Sequence, residues 1–177
     1  MNELKVPRFK FLDETSVNTG LIRLYGRAAS SERVLDSTPQ LSGPQTTTLA
    51  VIGLTGIVAP LVIRGAVDGN LFRGYLEQCV LPELRAGDIL FMDNLSAHKV
   101  AGIEALVQAR GAHLIYLPPY SPDFNPIELL WSKVKTSLRR LKARTFDTLV
   151  EALGEALLAI TPQDIRGWFA HCGYAII

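Results

Sequence analysis

The sequence predicts an α/β fold: one mixed sheet with helices on its faces. Three observations carry this. Two β-rich runs, "QTTTLAVIGL" (45–54) and "GIVAPLVIRG" (56–65), are separated by almost no sequence, which predicts an antiparallel hairpin. Two short continuous apolar runs, "DILFMDN" (88–94) and "HLIYLPP" (113–119), alternate with helical patterns, as expected of parallel strands buried on both faces and joined by crossovers. The chain has 177 residues, 48% hydrophobic and 20% charged, which suits a single folded domain with a full core.

The elements follow in order. "RFKFLDETSV" (8–17) alternates aromatic and polar residues before reaching acid, and reads as a strand ending near Asp13. Residues 23–44 are rich in Gly, Ser, Pro and Arg and read as a long loop. After the hairpin, "NLFRGYLEQCVLPEL" (70–84) places Phe72, Tyr75, Leu76, Cys79 and Val80 at helical spacing. "HKVAGIEALVQAR" (98–110) is a helix stopped by Gly111. A long helix runs from Asn125 to about Ala143, with Ile127, Leu130, Trp131, Val134, Leu138 and Leu141 as its inward stripe. Two more helices close the chain from about residue 145, the last opened by Thr161 and Pro162.

Composition narrows the function. The net charge of +1 assigns any nucleic-acid role to a local basic patch rather than to global charge. Cys79 and Cys172 lie far apart without CxxC spacing, which argues against zinc and against a disulfide framework and favours a reducing cytosol. No apolar run reaches transmembrane length. There is no internal repeat.

Three acids are predicted to meet at one sheet edge. Ligands of open α/β sheets bind at the carboxyl ends of parallel strands. Asp93 ends "ILFMD", Asp13 ends the first strand, and Glu128 opens the helix after the last strand. Carboxylates brought together repel one another, so such a cluster calls for a cation. Oxygen ligands without His or Cys select Mg²⁺ or Mn²⁺, and two such ions ~4 Å apart serve phosphodiester chemistry. Locally, Glu128 has a second reading. Asn125 suits an N-cap, Pro126 the first helical position and Glu128 the third, close to a capping box. Neighbouring acids act as controls: Glu14 faces away from Asp13 by strand alternation, Asp88 sits at the wrong end of its strand, and Asp123 lies in the preceding loop.

"FLDETSVNTG", "FMDNLSAH" and "LPPYSPDFNPIELLWSKVK" resemble the three acidic motifs of DDE transposases, in the bacterial insertion-sequence group related to mariner elements. The 34 residues between Asp93 and Glu128 match that group's spacing. The resemblance covers residues 8 to about 174. It implies a ribonuclease H-like fold, in which three antiparallel strands precede the parallel βα units. It also implies Mg²⁺-dependent DNA strand cleavage and transfer at the ends of a mobile element, with Mn²⁺ as a substitute and two ions expected. By position, Asp13, Asp93 and Glu128 match the metal-binding acids. The implied partners are DNA, both element ends and target, and a second copy in a DNA-bound homodimer. The implied location is the bacterial cytoplasm, at the nucleoid.

Other residues carry paired readings. Asn94 and His98 follow Asp93 and either touch substrate or cap the next helix. Tyr120 and Ser121 either line the DNA path or make a turn. "WSKVKTSLRRLKAR" (131–144) has six basic residues and no acid. Lys135, Arg139 and Lys142 continue the helical line of Glu128 and would follow a phosphate backbone; the alternative is a solvated face suited to the helix macrodipole. Arg23, Arg27 and Arg33 are weaker DNA candidates.

The family normally carries N-terminal helix-turn-helix domains. The expectation for 1–177 is one catalytic domain without that module, joined to an upstream segment or else a truncated copy. Two alternatives stand beside the active transposase: an inactive remnant that binds DNA or the full-length enzyme, and another ribonuclease H-like nuclease such as a resolvase.

Overall fold

A computed structural model describes residues 6–23, 25–35, 37, 43–94 and 101–174. Five strands form one sheet in the order β3-β2-β1-β4-β5: β1 (Phe9–Val17), β2 (Thr46–Gly53), β3 (Gly56–Arg64), β4 (Ile89–Met92) and β5 (His113–Tyr116). The predicted hairpin is present, and β2 pairs antiparallel to both β1 and β3. The apolar runs pair in parallel, β4 against β1 and β5 against β4. The fold class read from the sequence therefore holds.

Among the described residues, five α-helices flank the sheet: α1 (Gly69–Tyr75), α2 (Ile103–Ala109), α3 (Pro126–Leu141), α4 (Phe146–Leu158) and α5 (Pro162–His171). Strand alternation divides the apolar residues between two cores. Phe9, Phe11 and Val17 of β1 pack with Ile89 and Phe91 of β4 and with Ile127, Leu130, Trp131 and Val134 of α3, closed over by α4 and α5. Leu12, Leu90 and Met92 face the other way, onto Phe72 of α1 and Ile103 and Val107 of α2. Thr145 and Thr161 open α4 and α5 with capping boxes, so both helix starts follow directly from sequence.

Several boundaries differ from the sequence reading. The helix expected over 70–84 is α-helical only to Tyr75; it widens to a π turn over Leu76–Val80 and tightens over Leu81–Glu83. Pro82 has no N–H to donate, and its ring would crowd the Gln78 carbonyl of an ideal α-helix. The helix expected over 98–110 begins at Ile103, because Gly102 takes a left-handed φ of 86° just before it; 98–100 lie outside the described residues. Gly111 does end it, at φ 71°. β5 is an edge strand with His113 and Ile115 exposed, not a strand buried on both faces, since nothing among the described residues pairs beyond it. Leu141, placed on the inward stripe of α3, is 41% exposed because the helix ends there and Lys142 turns left-handed at φ 52°.

Candidate active site

The site begins with strand register. β1 and β4 pair in parallel from Phe9↔Ile89 to Leu12↔Met92. Asp13 and Asp93 are the next residues on each strand, so continuing the register sets them side by side, with backbones about 5 Å apart. Alternation puts Asp13 on the face of Phe11 and Asp93 on that of Phe91, the face covered by α3. Asp13 is not at its strand's end: β1 runs on to Val17 because β2 keeps pairing with it, from Asp13↔Ala50 to Val17↔Thr46. What ends at Asp13 is the parallel pairing with β4, and that opens the cleft.

Asp93, Asn94, Leu117–Pro122, Asn125 and Glu128 line one cleft of about 360 Å³. Asp13 does not line it but lies behind Asn125, which does. It is 5% exposed, and its carboxylate accepts the Glu14 N–H at 2.8 Å and the Asn125 side-chain amide at 3.3 Å. Glu128 is exposed in the first turn of α3, where the helix N-terminus favours a negative charge. The Glu128 N–H donates to the Asn125 carbonyl at 3.1 Å, the ordinary backbone start of the helix.

The side-chain cap expected of Asn125 is not made. Asn125 occupies the N-cap position with Pro126 following, but its side chain caps nothing. It lies 4% exposed between the helix start and β1, and its amide group donates to Asp13 instead. Its Oδ1 is buried without a hydrogen-bond partner. No capping box forms with Glu128, which leaves that carboxylate at the cleft. This use of Asn125 was missed from sequence, because the contact joins residues 112 apart in the chain.

The turn before α3 is held from behind. Tyr174 donates its hydroxyl to the Phe124 carbonyl at 2.7 Å and packs edge-on against Phe9, ring centres 5.6 Å apart. Burial, with a smaller contribution from Cys172, pushes the Tyr174 hydroxyl up to about 12, so it stays a donor at neutral pH. On the outer side of α3, Lys133 pairs with Asp164 of α5 at 2.6 Å. The Lys133 hydrogen bond, then those from Thr161, hold the Asp164 carboxyl at about 2. Tyr120, at the cleft mouth, is fully exposed and left-handed at φ 55°, a conformation that strains a non-glycine residue.

The control acids separate as expected. Glu14 shares the alternation of Leu12 and points to the opposite face. Asp88 precedes β4, accepts the Arg85 N–H at 2.9 Å and lies 3.8 Å from Lys10. Asp123 is exposed and does not line the cleft. Asn94 lines it, whereas His98 lies outside the described residues. Lys135 and Arg139 are partly exposed on α3; Lys142, left-handed at the C-cap, leaves the helical line.

Among the described residues, no three His, Cys, Asp or Glu side chains lie close enough to hold one ion jointly. The donor chemistry nevertheless fits a hard divalent cation. The Asp93 and Glu128 carboxylates at the cleft, the Asp13 carboxylate behind Asn125 and the unpartnered carboxamide oxygen of Asn125 are all oxygen ligands. No helix of the described residues is long and apolar enough to cross a membrane.

Known proteins resemble this chain in sequence and in fold. The DDE superfamily endonuclease family model matches residues 8–150. The transposable element Tc1 transposase of Caenorhabditis elegans is 31% identical over 97 residues, covering 55% of this chain and 36% of that protein. The Mos1 mariner transposase paired-end complex with Mn superposes with a TM-score of 0.73 at 15% identity, covering 95% of this chain and 53% of that one. The separate catalytic domain of Mos1 mariner transposase gives 0.66 at 14% identity, covering 96% and 79%. The chain thus spans about a third of the Tc1 protein and about half of the Mos1 chain in its complex. The mixed sheet with its flanking helices is the ribonuclease H-like fold of the Mos1 catalytic domain. With its family match running from β1 through the start of α4, the chain belongs to the DDE superfamily endonucleases.

Proposed function

We propose that this chain is the catalytic domain of a DNA transposase, with Asp13, Asp93 and Glu128 holding divalent metal for strand cleavage and strand transfer. One observation carries the reading. Asp13 and Asp93 leave the parallel pairing together on the α3 face, and Asp93 shares a cleft with Glu128 from the start of α3. A pair of Mg²⁺ or Mn²⁺ ions bound there supplies activation of the attacking oxygen and neutralisation of the leaving one. The chain's own residues do the rest. Asp13 sits on β1 and Asp93 just past the end of β4, so the sheet positions both backbones for the metal. Glu128 approaches from the opposite wall on the first turn of a helix anchored by Trp131 and Val134. Asn125 holds the Asp13 carboxylate by its amide. The order of the acids along the chain, and the likeness to transposases solved with Mn, with Mg and with a transposon end, support this reading.

The substrate class is double-stranded DNA at the ends of a mobile element, then a target site. Lys135 and Arg139 follow Glu128 along α3 and neutralise phosphates leaving the cleft. The working unit is a homodimer on DNA, and sequence recognition belongs to a helix-turn-helix segment outside this domain. The place of action is the bacterial nucleoid.

The test is nicking of supercoiled plasmid with Mg²⁺ or Mn²⁺. Asp93→Asn removes a charge without changing shape, and is expected to abolish metal-dependent nicking with an unchanged melting temperature. Nicking that persists in this variant removes Asp93 from the metal site and the transposase chemistry with it.

A further inference from the structure

A second groove, of about 440 Å³, lies on the surface of α3 away from the acids. Its lining is Arg23, Tyr25, Thr136, Ser137, Arg139 and Arg140. Among the described residues, three guanidinium groups and no carboxylate face it. Among the described residues, no acid pairs with any of the three. Arg139 and Arg140 sit in the last turn of α3, where basic residues suit the helix macrodipole. That accounts for two of the cations, but not for the wall opposite.

The opposite wall comes from the segment after β1 and is tied to α3. Arg144, just beyond the helix, donates to the Thr19 carbonyl at 2.8 Å and the Leu21 carbonyl at 3.0 Å. The Thr19 hydroxyl in turn accepts the Gly43 N–H at 3.2 Å, which draws the far end of the same segment in. Arg23 follows this anchor by two residues, so a third cation is brought up to a pair already of like charge. A groove lined by one sign of charge focuses potential for a polyanion. Arginine forks match phosphate oxygens in pairs, as lysine cannot. Tyr25 is 90% exposed beside them and offers a hydroxyl and a flat face.

Position relates the groove to the acids. Arg139 lies eleven positions along the helix from Glu128, a rise of about 16 Å. That spans roughly five phosphates of one duplex strand. Lys135 lies between on the same helical line.

We infer that this groove is a second DNA-contacting site, taking the sugar–phosphate backbone of the strand that leaves the acidic cleft about five nucleotides away. The inference rests on the reading of the chain as a DNA-cleaving domain.

The test is fluorescence anisotropy of a labelled mixed-sequence duplex, titrated with the full chain over a range of salt without added metal. The variants are Arg23→Ala with Arg140→Ala, their double Lys counterpart, Tyr25→Ala and Lys135→Ala. For the double Ala variant, the slope of log affinity against log salt is expected to fall by about 1.8, as when two phosphates are no longer neutralised. The double Lys variant keeps the slope, because it keeps the charge, but binds several-fold more weakly because it loses the forks. Tyr25→Ala weakens binding with the slope unchanged. Wild-type slope and affinity in the double Ala variant, with Lys135→Ala still reducing both, overturns the groove and leaves the cleaving domain standing. No duplex binding by the wild-type chain even at low salt overturns both readings together.

Discussion

Replacing Asn125 by Ala separates two roles that a buried polar residue usually combines. The Asn125 amide donates to Asp13 at 3.3 Å, at the long end for a hydrogen bond to a carboxylate. Bonds to charged groups contribute about 1.5–3 kcal/mol, so this one belongs at the low end, near 1.5 kcal/mol. Against it stands the carboxamide oxygen, buried without a partner, a liability of about 1–3 kcal/mol that the same substitution removes. Asp13 keeps the Glu14 N–H at 2.8 Å. The two effects nearly cancel, so Asn125→Ala is expected to change stability by no more than about 1 kcal/mol, roughly 2–4 °C in melting temperature for a chain of this size. Metal binding should respond more. An Asp13 carboxylate released from its orienting amide is expected to bind Mn²⁺ about tenfold more weakly, or about 1.4 kcal/mol. The assay is Mn²⁺ titration followed by electron paramagnetic resonance, with thermal melts in chelator alongside. A destabilisation above about 3 kcal/mol would refute the balance, since it would mean that the amide is fully satisfied in the folded protein. Unchanged Mn²⁺ affinity would refute the orienting role. Asn125→Asp supplies the isosteric check. It sets a second carboxylate beside Asp13, so it should destabilise the metal-free protein at neutral pH.

Other expectations are as specific. Glu128→Gln should lose metal-dependent nicking yet melt like the wild type, because no side-chain cap depends on Glu128; a clear drop in melting temperature would restore the capping role. The Asp164 carboxyl is held at about 2, below its unfolded value, chiefly by Lys133. Its contribution to stability is therefore present above pH ~4 and lost as pH falls towards ~2. Asp164→Asn should remove that part of the acid dependence, read as the difference between the two proteins' melting curves from about pH 6 downwards; parallel curves would show that the pair is too solvated to matter. Tyr174 runs in the opposite sense: its raised hydroxyl favours the folded state up to about pH 10 and loses that contribution as pH climbs to about 12. Tyr174→Phe should flatten that alkaline limb and loosen the turn at Phe124, seen as faster amide exchange there.

Much of this protein is decided by local sequence. Alternation in 8–17, the near-contiguous β runs of the hairpin and the two Thr-led capping boxes each fix an element within a few residues, and local sterics and hydrogen bonding act at that range. The sequence also predicts that Asp13, Asp93 and Glu128 meet at one edge, because the order of strands and helices dictates which ends face the same way; of the three, Asp93 and Glu128 line one cleft. What only the tertiary structure decided depends on contacts between distant segments. β1 outruns Asp13 because β2 continues to pair with it, β5 is exposed because the sheet ends there, and Asn125 leaves its cap because a buried carboxylate on β1 lies within reach. The basic groove on α3 likewise needs Arg23, carried in by a segment that Arg144 ties down. Periodicity along one segment holds no information about which charge another segment will bring beside it.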